Sequence, residues 1–80
     1  NKSEIKLTRQ EFDLLSYLIE NSGNVLTKKE ILEEIWEILH PTEEDVNKVE
    51  VYIGYLRKKL KPFNLDVYIN TVRGFGYRWN

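Results

Sequence analysis

The chain has 80 residues, enough for one domain with a small core, and 41% hydrophobic with 31% charged residues is a globular balance. It has no cysteine, which excludes a disulfide framework and a cysteine metal site and suits a reducing compartment. No apolar run approaches the roughly 20 residues that span a bilayer, and no charged-then-apolar signal segment opens the chain. The net charge of −1 hides a split. Residues 1–45 hold five Lys/Arg against eleven Asp/Glu, a balance of −6. Residues 46–80 hold seven Lys/Arg against Glu50 and Asp66, a balance of +5. A basic face can therefore coexist with an acidic total.

The opening "EIKLT" alternates as a short strand would. "TRQEFDLLSYLIENSG" reads as a helix. Thr8 and Glu11 are spaced to satisfy each other's unpaired backbone N–H groups in a capping box. Phe12, Leu15, Leu18 and Ile19 recur at helical spacing as its apolar stripe. Gly23 suits a left-handed helix end. "NVL" is an extended link. A second helix, "TKKEILEEIWEILH", opens with Thr27 and Glu30 as another box and carries Ile31, Leu32, Ile35, Trp36 and Leu39 on its apolar side. Pro41 breaks it.

Thr42 and Asp45 cap a third helix, "EEDVNKVEVYIGYLRKKLK", which ends before Pro62. At about 100° per residue, Val49, Ile53, Leu56 and Leu60 share one face. Asn47, Lys48, Val51, Gly54, Tyr55 and Lys58 share the other. "LDVYINTV" then reads as a strand, "RGFG" as a turn whose glycines can take positive φ, and "YRW" as the return strand. The order is that of a winged helix–turn–helix, an α+β fold. It has three helices, a small antiparallel sheet and a C-terminal β-hairpin wing, in one domain over residues 1–80.

Three segments make the likeness specific: "LTRQEFDLLSYLIENSGNVLTKKEILEEIW", "VNKVEVYIGYLRKKL" and the closing "INTVRGFGYRW". The chain resembles the C-terminal DNA-binding effector domain of the OmpR/PhoB class of two-component response regulators. The resemblance implies a cytoplasmic transcription factor, regulated by phosphorelay through a receiver domain. It would bind duplex DNA selectively, alone as a monomer and on direct repeats as a tandem pair. The third helix would enter the major groove, and Arg73 on the wing would enter the minor groove. A narrow minor groove concentrates negative potential, which suits that arginine. Gly74 and Gly76 would let the wing backbone come close to DNA. The hydroxyls of Thr71 and Tyr77 match positions that reach phosphate; the alternative is that Tyr77 and Trp79 fill the core and Arg78 is solvated. Lys48 and Lys58 would meet phosphates or bases, and Arg57 a phosphate at the helix edge. Glu50 stands where the class has Asp and would accept from cytosine N4 or orient a neighbouring base. Tyr52 stands where His is frequent and either bonds phosphate or lines the core edge.

Departures from the class are equally informative. Asn47, Gly54 and Tyr55 occupy positions where arginine is frequent. The bidentate arginine–guanine contact is thus missing from the centre of the helix face. Tyr55 would pack on a thymine methyl or donate one hydrogen bond. Domains of the class begin with a four-stranded sheet, of which "EIKL" would be the remnant. The chain does not begin with Met and reads as a segment of a longer protein. "EILHPTEEDVN" would be the connector that faces RNA polymerase, with Glu43, Glu44 and Asp45 as its acidic contact. Acids at a helix start also serve the helix dipole.

No cofactor or metal is expected. Glu30, Glu33, Glu34 and Glu37 make a solvated face beside Lys28 and Lys29, His40 beside Pro41 reads as a connector residue, and no base–nucleophile arrangement points to an enzyme. The alternative to a DNA reader is a protein-interaction module on the same scaffold. The acidic total, the missing arginines and the aromatics Tyr52 and Tyr55 favour it. Salt separates the two, because phosphate binding weakens steeply as salt rises.

Overall fold

Three Thr-led boxes set the helix starts in the computed structural model, which describes residues 4–80. α1 (Arg9–Glu20) begins where Thr8 Oγ1 accepts from the Glu11 N–H at 3.2 Å and Glu11 Oε1 accepts from the Thr8 N–H at 3.0 Å. α2 (Lys28–Trp36) repeats the device with Thr27 and Glu30, and α3 (Glu43–Leu60) with Thr42 and Asp45. Each box closes within one turn, so sequence spacing alone specifies it.

β1 (Leu26–Thr27) runs directly into α2, and the chain ends in a hairpin of β2 (Ile69–Val72) and β3 (Gly76–Trp79). The antiparallel sheet has the order β1-β3-β2, so the last strand is central. The register places Leu26 opposite Tyr77 and Thr27 opposite Gly76. A Cβ on Gly76 would collide with the Leu26 carbonyl and sit 2.9 Å from Thr27 Cα. The expectation that Gly76 turns the wing is thus corrected. Of the two turn glycines only Gly74 has positive φ, 81°, while Gly76 lets β1 close onto β3.

All four predicted α3 core residues are buried, with Leu14 and Leu18 of α1, Ile31 and Leu32 of α2, and Ile69 and Tyr77 of the hairpin. Truncating such a side chain to Ala costs roughly 2–5 kcal/mol.

Four local expectations are corrected. Residues 4–8 form no strand; Ile5 and Leu7 lean on the core, and no strand among the described residues pairs with them. In α1 the buried face is Glu11, Leu14 and Leu18, while Phe12 and Ile19 are exposed. Capping turns the Glu11 carboxylate inward, where Lys59 Nζ meets it at 2.6 Å, and this rotates the stripe by one position. α2 stops at Trp36, because Glu37 adopts a left-handed conformation (φ 58°) and the Ile38 N–H reaches back to the Leu32 carbonyl at 3.2 Å. Leu39 lies outside the helix, exposed. Finally, Asp66–Tyr68 form a 3-10 turn before β2, and Tyr68 stacks on Trp79 at 5.3 Å between ring centroids.

Candidate nucleic-acid interface

α3 presents its polar face beside the hairpin, and an open cleft of about 500 Å³ separates them. Glu50, Gly54 and Arg57 line it from α3, residues 71–77 from the hairpin, and Lys28 from the start of α2. The hairpin tip, Arg73, Gly74 and Phe75, is exposed, with Phe75 N–H closing the turn onto the Val72 carbonyl at 2.9 Å. Asn47, Val51, Gly54, Tyr55 and Lys58 form the exposed stripe of α3, and the space above Gly54 is open.

The structure gives several candidate residues partners that spacing did not reveal. Arg57 Nη2 donates to the Ile69 carbonyl and to Thr71 Oγ1, both at 2.8 Å, and its guanidinium lies 5.8 Å from the Tyr77 ring centroid. It clamps the hairpin to α3, and Thr71 keeps its own hydroxyl hydrogen available as a donor. Glu50 accepts from Lys28 Nζ at 2.6 Å across 22 residues of chain. This hydrogen bond holds the Lys28 ammonium above the ordinary lysine value. Tyr77 fills the core with its ring, while its phenol feels the charges of Lys28, Glu50 and Arg57 at the cleft floor. Burial is the main cause pushing that phenol up, against the pull of Lys28.

On the other flank, Tyr52 bridges Trp36 and Tyr55 edge to face, at 5.1 and 5.3 Å. Its hydroxyl donates to Gln10 Oε1 at 3.0 Å, so it belongs to the α1–α3 seam. Lys48 Nζ stands 5.4 Å over the Trp36 ring. Glu43, Glu44 and Asp45 are the first turn of α3 and not a connector loop; Asp45 serves the cap, while Glu43 and Glu44 are exposed. Lys28 lines the cleft and Val51 lies on the exposed stripe, and neither was among the expected site residues. Val51 was legible from its place on the outer face, but Lys28 is brought to Glu50 only by packing of α2 on α3.

Among the described residues no group of three or more His, Cys, Asp or Glu is placed to hold a metal, and no helix is long and apolar enough to cross a membrane.

Residues 2–79 match the family described as "Transcriptional regulatory protein, C terminal". The response regulator ArlR of Staphylococcus aureus is 48% identical over 77 residues, which are 96% of this chain and 34% of that protein. The chain thus spans about a third of the length of the curated relatives it matches. The DNA-binding domain of Bacillus subtilis CssR has a TM-score of 0.80 at 30% identity, over 95% of this chain and 80% of that one. The DNA-binding domain of the response regulator AdeR, solved in complex with an intercistronic region, has a TM-score of 0.77 at 28% identity, over 95% of this chain and 74% of that one.

Proposed function

The chain belongs to the family of transcriptional regulatory protein C-terminal domains, and we propose that it binds double-stranded DNA selectively as the output domain of a two-component response regulator. The observation that carries this reading is the paired presentation of α3's exposed stripe and the exposed hairpin tip across one open cleft. A helix fits the major groove, and an arginine-tipped hairpin beside it fits the neighbouring minor groove. AdeR's DNA-binding domain, of the same fold, was solved on DNA. Arg73, Lys58 and Lys48 supply phosphate attraction, and the Thr71 hydroxyl can donate to a phosphate oxygen. The whole protein would add a receiver domain and bind DNA as a tandem pair. Glu43 and Glu44 would face RNA polymerase.

The test is selection of binders from a random duplex pool, followed by affinity across a salt series. A shared motif with a steep inverse salt dependence is expected, and Arg73→Ala should weaken binding most at A·T-rich flanks. A salt-insensitive contact, or no enrichment at low salt, would overturn the reading.

A further inference from the structure

The exposed stripe of α3 offers one free side chain suited to G·C pairs, Lys58, and it stands at the far end of the stripe. Guanine is read chiefly by Arg or Lys, and cytosine by Asp or Glu. Arg57 is held by the Ile69 carbonyl and Thr71. Lys48 lies over Trp36, and Lys28 is tied to Glu50. That same bond ties up Oε2 of Glu50, the acid bordering the cleft, and neutralises its charge. Glu43 and Glu44 sit in the first turn, where they repel phosphate, so base reading starts at Asn47. Lys58 lies roughly 16 Å further along the axis by the helical rise, about three turns beyond Asn47, which takes it to the phosphate rim when the N-terminal half of α3 meets the base edges.

The centre of the stripe is Asn47, Val51 and the bare backbone of Gly54, with Tyr55 beside them. Val51 is 40% exposed, although the helix has an apolar core face for such a side chain. Asparagine pairs with adenine N6 and N7, and apolar side chains touch the thymine methyl. Asn47 and Val51 are one helical turn apart, roughly 6 Å, or about two base-pair steps. We propose, resting on the DNA-binding reading above, that this chain selects half-sites with an A·T centre. Asn47 bonds an adenine and Val51 packs on a thymine methyl about two steps away.

The experiment takes the selected duplex and replaces each thymine in turn by deoxyuridine, which removes only the methyl group. Affinity is measured for the unaltered chain, Val51→Ala and Asn47→Ala, with thermal melts to check folding. Expected are an A·T centre, one thymine whose methyl contributes about fourfold in affinity, and loss of that sensitivity in Val51→Ala. Asn47→Ala should lower discrimination for its adenine by about tenfold or more. A selected motif with a G·C centre, or affinity indifferent to every uracil, overturns the inference while DNA reading stands. Absence of any salt-sensitive duplex binding overturns both. The uracil change is in the DNA, so misfolding of a variant cannot imitate it.

Discussion

Replacing Arg57 separates a clamp from a phosphate contact, the role its place on the helix edge had suggested. In the structure one guanidinium nitrogen makes two 2.8 Å hydrogen bonds to the hairpin. Hydrogen bonds from a charged donor contribute about 1.5–3 kcal/mol each, and partial exposure here reduces the pair to about 2 kcal/mol in total. Arg57→Gln should therefore lower the melting temperature of the DNA-free domain by roughly 10 °C. Arg57→Lys keeps the charge but lacks the planar guanidinium that lies by the Tyr77 ring, and should recover only about half of that loss. Thr71→Val removes one acceptor, and combining it with Arg57→Gln should reveal a coupling of about 1 kcal/mol. The assay is thermal or urea unfolding of the single and double variants without DNA. Unchanged melting temperatures, additive single effects and a salt slope lowered by about one unit in Arg57→Gln alone would refute the clamp.

Other outcomes follow from local geometry. Gly76→Ala should destabilise strongly, because its methyl meets the Leu26 carbonyl and the backbone of Thr27 must move away; loss of β1–β3 amide protection in hydrogen exchange is the readout. Gly54→Ala, with open space at its Cβ, should stabilise the free domain by about 1 kcal/mol; a loss of DNA affinity in the same variant would mean that DNA backbone approaches Gly54 closely. Burial pushes the Glu11 carboxyl up, but Lys59 and the Thr8 N–H outweigh it and hold it below the ordinary carboxylate value. Its stabilisation should be full above that ordinary value and fade as pH falls through the lowered folded one. Glu11→Gln should flatten that acid limb in melts from neutral to acid pH and cost about 2 kcal/mol at pH 7. Charge reversal at Glu43 and Glu44 should cut transcription and leave duplex affinity intact; loss of both points to a folding defect at the start of α3.

Features that close within a few residues were legible in the amino-acid order. The three capping boxes and the hairpin have partners one turn or one tight loop away, and the four core residues of α3 are marked by their spacing along one helix. Periodicity went wrong where it was ambiguous. α1 has apolar residues at 14, 15, 18 and 19, and two adjacent stripes fit equally until Lys59, 48 residues on, draws Glu11 inward. The stop at Glu37 was hidden because a non-glycine residue takes the left-handed conformation there. Tertiary structure alone decided the site's electrostatics. It paired Lys28 with Glu50, seated Lys48 on Trp36 and gave Arg57 to the hairpin, so that most cations beside the reading face are already engaged. The physical reason is range. Backbone capping is fixed by covalent spacing, whereas a charge finds its partner only after the core has set how the helices and the sheet pack together.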